Sequence, residues 1–330
     1  MSPLPANASS DNQGAAKVSG GAVNFDVATA DHRGGRDEQQ DRVAVRQSAA
    51  AALLVIADGL GGHRGGALAA QAVLDTAADA WQKVDRGGAA AGEFLNGLRD
   101  QAHARILEIG REQGLQPMTT CNLLLIENTE ATWVYVGDSR LYRFRDGELI
   151  ARTRDHSMAE ALVELGEMDE AGMADSAEQT QLLSVLGGAE APEAAGGDAA
   201  VAVGDGYILC TDGLWETITV AEMAAALAAP SLDDAARNLV NMAVDRGGPG
   251  GDNVAIAMAR IAAPSVHPGR QMMRHAARAW DLFSAPVRLV ERWVGGLYKK
   301  PTPDTGQPID GNLPATKAKK KDRIKRERRP

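Results

Sequence analysis

Cysteine and aromatic residues are both scarce. The 330-residue chain holds two Cys, and Phe, Trp and Tyr together make up 4% of it. Two lone thiols exclude a disulfide scaffold and fit a reducing compartment. The six His form no cluster with the Cys, so a structural zinc site is not expected. With so few aromatics, the core must rest on Ala, Val, Leu and Ile. Long apolar runs are missing too. The longest clean one, Ala49 to Ala57, is strand-sized, whereas a membrane helix needs about 20 residues. Residues 1–7 show no basic stretch followed by an apolar one, so no signal peptide and a cytoplasmic location are expected. What is present, 44% hydrophobic and 24% charged residues, is enough for a globular core.

Charge is unevenly spread. The formal net charge is -9, yet residues 299–330 hold 11 Lys/Arg against 4 Asp/Glu. The other 298 residues carry 24 positive and 40 negative charges. An acidic body with a basic tail makes nucleic-acid binding a poor main function, since the tail has no interleaved aromatics.

Four regions are expected. Residues 1–20 are Ser/Asn/Gly/Ala-rich and read as a flexible arm. Residues 21–262 read as one domain. Its strand-like runs are Val43–Val45, Leu53–Ala57, Asn122–Glu127, Thr132–Val136, Leu141–Phe144, Tyr207–Cys210 and Val254–Ile261. Helical stretches are Gly66–Val84, Phe94–Glu112, Ser157–Glu167 and Leu232–Val244. Strands and helices cluster instead of alternating, which argues for an α+β packing over a doubly wound parallel sheet. Residues 263–300 hold a linker and then Trp280, Phe283, Val287, Val290, Val294 and Leu297 at spacings of three or four, an amphipathic helix pattern. Residues 301–330 are a disordered basic tail. That tail is either a solvated solubility device or an address for an acidic partner or a membrane surface.

The polar signals stand where strands begin or end, mostly as Asp beside Gly. Asp41 precedes Arg42–Val45. Asp58-Gly-Leu-Gly-Gly-His63 follows Leu53–Ala57. Gly137-Asp-Ser-Arg140 follows Trp133–Val136, Thr211-Asp-Gly-Leu-Trp215 follows Tyr207–Cys210, and Gly250-Gly-Asp-Asn253 precedes Val254–Ile261. A single Asp-Gly is a common turn. Five acids at the edges of buried strands are different, because gathered carboxylates repel unless a cation sits among them. Oxygen-only donors favour hard ions such as Mg2+ or Mn2+. Two such ions can activate water and clamp a phosphoryl group. The residues alone therefore give the class of acidic metal hydrolase.

In order and spacing, Arg36-Asp-Glu-Gln-Gln-Asp41, Asp58-Gly-Leu-Gly-Gly-His63, Thr119-Thr120, Gly137-Asp-Ser-Arg140, Arg154-Asp-His-Ser157, Cys210-Thr-Asp-Gly-Leu-Trp215 and Gly251-Asp-Asn253 resemble the metal-dependent protein serine/threonine phosphatases of the protein phosphatase 2C family, bacterial type. The resemblance runs from about Val23 to Ile261. It implies an antiparallel β-sandwich flanked by helices on both sides, four layers α-β-β-α. It also implies a centre of two Mn2+ or Mg2+ ions, with room for a third. Asp58 matches the carboxylate bridging both metals, and Gly59 offers its carbonyl to the second. Asp212 and Asp252 match ligands of the first. Asp41 matches the second member of an acidic pair, and Asp138 a carboxylate that joins Asp212 around a third ion. Arg36 matches the phosphate-binding arginine. Asn253 is expected to support the turn beside Asp252, and Arg140 to pair with a local carboxylate.

The implied reaction is hydrolysis of phosphoserine or phosphothreonine in proteins by direct attack of metal-bound water, opposing a serine/threonine kinase. The implied partners are a phosphoprotein, such as a kinase or its adaptor. Three departures stand out. Gln40 replaces the usual Glu of the acidic pair. Leu60 stands where eukaryotic relatives place a His proposed as general acid. Asp175–Gln181 lacks the usual Arg-Asn pairing ahead of Leu182-Leu183-Ser184. These departures are what a catalytically weak scaffold with the same fold would show.

Overall fold

A computed structural model describes residues 18–20, 23–48, 50–60, 64–83, 90–127, 129–169 and 176–264. The amphipathic segment, the basic tail, His63 and most of the N-terminal arm lie outside them.

The apolar run that ends at Asp58 shows how the fold is built. Strand β4 (Ala51–Ala57) is buried at every position. Its even and odd residues face different partners, as the two-residue period of a strand requires. Leu54 and Ile56 point into the space between two sheets, and Leu53 and Val55 point the other way, under helices. A strand buried on both faces has no apolar/polar alternation and reads as a continuous run.

Two antiparallel sheets result. The first has the order β1 (Val18–Gly20), β2 (Val23–His32), β13 (Val254–Pro264), β12 (Asp205–Cys210), β9 (Arg140–Arg145), β10 (Glu148–Arg152). The second runs β11 (Ala195–Ala200), β8 (Glu130–Val136), β7 (Cys121–Glu127), β4, β3 (Arg42–Gln47). A small pair, β5 (Gly59–Leu60) with β6 (Met118–Thr119), sits at one end. Between the large sheets lie Phe25, Val27, Leu54, Ile56, Leu124, Trp133, Tyr207 and Leu209.

Helices α1 (Arg64–Lys83) and α2 (Ala91–Gln113) cover the second sheet with Val73, Leu74, Leu95, Leu98, Ile106 and Ile109. On the other side, α5 (Val220–Leu227) and α6 (Leu232–Gly247) cover the first sheet with Met223, Leu227, Leu239 and Val240. Two short helices, α3 (Met158–Glu164) and α4 (Asp212–Trp215), lie between strands. The four layers are those implied by the resemblance. Ala side chains form much of both helix–sheet contacts, which lets helices approach sheets with few aromatics.

The described elements depart from the sequence reading in several places, β10, α5 and the β5–β6 pair among them. Val18–Gly20, expected in the arm, pair antiparallel with β2. Strand β2 itself was not legible, because Asp26 interrupts its apolar residues; Arg260 of the neighbouring β13 donates to Asp26 at 2.9 Å. Strand β11 (Ala-Gly-Gly-Asp-Ala-Ala) has no strand propensity of its own and takes its register from β8. Strand β13 continues to Pro264, past the expected boundary at 262.

Candidate metal and phosphate site

Each acid singled out in the sequence stands at the end of a strand or the start of a helix and is held by contacts from another segment. Asp58 closes β4. Its N–H donates to Thr120 Oγ1 at 2.9 Å, and its carbonyl accepts from Thr120 N at 2.9 Å and from Thr119 Oγ1 at 2.7 Å. Thr120 Oγ1 in turn lies 2.7 Å from Ser139 Oγ, beside Asp138. The Asp138 carbonyl accepts from Trp215 Nε1 at 3.1 Å. Arg140 lies over the Trp215 ring at 3.5 Å and binds Asp155 through Nε and Nη2 at 2.9 and 2.6 Å. That ion pair is the local carboxylate partner expected for Arg140. Ser157 caps α3 by accepting from Glu160 N.

Asp212 is the first residue of α4, and its Oδ1 accepts from Gly213 N at 2.6 Å. A Cβ at Gly213 would stand 2.1 Å from the Asn253 carbonyl, so only glycine lets the Asp212 turn lie against the Asp252 loop. The same holds at Gly34, with φ +62°, where a Cβ would stand 1.9 Å from the Asp252 carbonyl. Asp41 is 2% exposed and accepts from Thr211 Oγ1 at 2.7 Å. Thr211 also accepts from Ala255 N at 3.0 Å, so one hydroxyl ties Asp41 to the strand ends carrying Asp212 and Asp252.

The acids feel each other. Burial pushes Asp58, Asp138 and Asp212 well above the usual carboxylate range, and the neighbouring acids push them further. Asp58 responds to Asp41, Asp212, Asp138 and Asp252, and Asp138 to Asp212. Burial raises Asp41 to about 7, against a hydrogen bond from Thr211 and with added repulsion from Asp252. Asp58 also lies close enough to Asp41 to lower its pKa in part. Glu216, one helical turn after Asp212, joins this field.

Arg36 is exposed, and its Nη2 donates to Asp252 Oδ2 at 2.6 Å. Gln40 donates its backbone N–H to Asn253 Oδ1 at 2.7 Å and its side-chain amide to Glu38 at 3.3 Å. Gly59 packs backbone to backbone on Gly66 of α1, where a Cβ would come 2.6 Å from the Gly59 carbonyl oxygen.

Among the described residues, no three His, Cys, Asp or Glu side chains form a closed metal-ligating group. The acids are neighbours in charge rather than a finished coordination shell. Two observations fit a hard divalent cation all the same. Asp138 Oδ1 is buried with no hydrogen-bond partner, and the acids of the group are buried against mutual repulsion. Both costs fall when a cation enters an all-oxygen donor set.

All the predicted site residues come to this end of the sandwich: Arg36, Asp41, Asp58, Asp138 and Asp252 on loops, Gly59 in β5 and Asp212 at the start of α4. Thr211, Thr119, Thr120 and the carboxamide of Asn253 hold those loops together. In the sequence, Thr211 and Asn253 stand out by their place beside Asp212 and Asp252, and Thr119-Thr120 by the family motif; of these, only Asn253 carries an expected contact, the turn beside Asp252. The two Cys are buried core residues, and burial pushes the Cys121 thiol up to about 12, so neither is a nucleophile.

A family model described as protein phosphatase 2C matches residues 29–239. The serine/threonine protein phosphatase PstP of Mycobacterium tuberculosis is 31% identical over 214 residues, 64% of this chain and 41% of that one. The chain thus spans less than half the length of that relative. A putative protein phosphatase 2C-type protein of Streptococcus pyogenes is 28% identical over 62% of this chain and 84% of its own. Among solved structures, the M. tuberculosis phosphatase PstP/Ppp superposes with a TM-score of 0.64 at 28% identity, covering 72% of this chain and 99% of that one. The catalytic domain of PstP in complex with two manganese ions superposes with a TM-score of 0.61 at 28% identity, over 73% and 99%.

Proposed function

From the premise that the chain belongs to the protein phosphatase 2C family, we propose that it hydrolyses phosphoserine and phosphothreonine in proteins, with divalent cations held at the acidic end of its sandwich. The observation carrying this reading is the gathering of Asp41, Asp58, Asp138 and Asp212 at one end of the sandwich, with Asp41 and Asp138 buried and Asp138 Oδ1 lacking a hydrogen-bond partner. Burial and mutual repulsion raise all four above the usual carboxylate range. Such a group serves a cation better than it serves the fold.

Asp58, Asp212, Asp252 and the Gly59 carbonyl would hold two Mn2+ or Mg2+ ions, and Asp138 with Asp212 a third. When bound, the ions supply an activated water and neutralise phosphoryl charge. The chain does the rest. Thr119 and Thr120 fix the Asp58 backbone, so its carboxylate meets the ions without a search. Thr211 holds Asp41 in reach of Asp58 and Asp252. Arg36 is placed at Asp252 with its guanidinium open to solvent, where it can receive the phosphoryl oxygens of a large substrate. No side-chain nucleophile is required. The targets are phosphoproteins, such as a kinase or its adaptor. The catalytic domain is residues 21–262 with the strand residues Val18–Gly20 and Ala263–Pro264 that pair into its sheet, and the basic tail serves as an address for an acidic partner or a membrane surface. No described helix is long and apolar enough to cross a membrane.

The test is hydrolysis of a phosphothreonine peptide with Mn2+, with Mg2+ and with EDTA, beside Asp58→Asn and Asp252→Asn. Turnover that needs the metal and is lost in both variants is expected. A folded wild-type protein inert with both ions would overturn the activity and leave the fold as a scaffold.

A further inference from the structure

Arg36 is the most exposed side chain of the site. Its side chain is 56% exposed and its recorded partner is Asp252. An exposed arginine on a loop loses much side-chain entropy when it binds phosphate, unless the loop is already fixed. The loop is fixed, and one side chain does most of it. Asn253 is 4% exposed. Its Nδ2 donates to the Arg33 carbonyl at 2.7 Å and the Glu38 carbonyl at 3.0 Å, and its Oδ1 accepts from Gln40 N at 2.7 Å. These bonds grip the chain on both sides of Arg36. The backbone N–H of the same residue donates to Asp252 Oδ1 at 2.7 Å. Gly35 N adds a bond to the Gly251 carbonyl at 2.9 Å.

We infer that Asn253 is a positioning residue that locks the phosphate-binding arginine to the metal-binding aspartate, so that the two halves of the site move as one. Resting on the proposed activity, this assigns Asn253 a part in phosphate capture beyond support of its own turn. The carboxamide is specific to the task. It offers donors toward two carbonyls and an acceptor toward one N–H, which no other side chain of that size does. In Asn253→Asp the shape is kept, but an oxygen faces the Arg33 and Glu38 carbonyls. Two donor bonds become repulsions, while the backbone bond to Asp252 remains.

The experiment is calorimetric titration of the Mn2+-loaded full chain with inorganic phosphate, on wild type, Arg36→Ala, Asn253→Asp and the double variant. Steady-state kinetics on a phosphothreonine peptide accompany it. Asn253→Asp is expected to weaken phosphate binding about tenfold or more, the loss of two hydrogen bonds at roughly 1 kcal/mol each. It should raise KM more than it lowers kcat, and leave Mn2+ binding in the absence of phosphate near wild type. In the double variant the two losses should not multiply, because Asn253 acts through Arg36. Losses that multiply, or an Asn253→Asp variant that binds phosphate like wild type, would overturn the inference. Asn253→Ser is the second variant, for the case in which Asp prevents folding; unfolding of both would equally overturn it, by making Asn253 a fold residue. A wild type that binds phosphate but does not turn over would defeat the proposed activity and leave the Asn253–Arg36 link measurable.

Discussion

Two groups of buried acids in this protein are treated in opposite ways. Asp205 and Asp155 are each paired with arginine. Asp205 is fully buried and accepts from Arg143 Nη2 at 3.1 Å, from Arg145 Nε and Nη2 at 2.5 and 2.9 Å, and from Ala202 N at 3.0 Å. Asp155 is held by two nitrogens of Arg140. At the acidic end, Asp41 has the Thr211 hydroxyl for a partner, and Asp138 Oδ1 has none. Burying a carboxylate without a countercharge is costly. The first group meets that cost inside the chain, whereas the second leaves it to be met from outside. On the proposed reading, the difference separates acids that hold the fold from acids kept for a cation.

Substitutions should break the two groups differently. The largest effect is on activity. Asp58→Asn and Asp252→Asn should each lower metal-dependent turnover on the order of a thousandfold or more, the scale of losing a key electrostatic stabiliser. The same Asp58→Asn should stabilise the metal-free protein by on the order of 1 kcal/mol, or about 2–4 °C in thermal melts, because it removes a repelling charge. Asp205→Asn should do the reverse. It leaves Arg143 buried without its countercharge and should destabilise by about 3 kcal/mol, with unchanged half-saturation by Mn2+ in an activity titration.

The pH dependence sharpens the same contrast. Folding raises the Asp41 carboxyl from its ordinary 3.8 to about 7, so the folded state holds the proton more tightly. Its contribution is complete below pH 3.8 and is lost as pH rises toward 7. Metal-free wild type should therefore lose a few kcal/mol relative to Asp41→Asn across that window, read from urea unfolding at each pH. A smaller effect of opposite slope comes from His156. It is buried against Tyr135, with ring centroids 4.9 Å apart, and its Nδ1 accepts from Gly137 N at 3.3 Å. Burial lowers its pKa from 6.5 to about 4, so the folded state resists protonation. Stability is full above 6.5 and is lost as pH falls toward 4, by roughly 3 kcal/mol. The difference in unfolding free energy between wild type and His156→Gln should vanish outside that window in slope, though not in size.

Most of the architecture was legible because burial on both faces makes β4, β7 and β12 into unbroken apolar runs, each stopped by a polar or glycine-rich turn. Strand β11 was not, since two glycines and an aspartate carry no period and its place comes from pairing with β8. The acids were legible because each stands at such a stop. Their connections were not. Thr211 reaches Asp41 across 170 positions, and Asn253 reaches Arg33 across 220. Such contacts exist only once the sheets have brought the loops together. Arg36 was singled out by the family resemblance, which did not show that its contact is with Asp252.

The most direct measurement is calorimetric titration of metal-free protein with Mn2+, on wild type and on Asp58→Asn. The account predicts saturable binding of at least two ions to the wild type, a rise in its melting temperature with metal, and loss of most of that binding in the variant. Binding that is absent in folded wild-type protein, or equal in the two, would contradict the claim that these acids are kept for a cation.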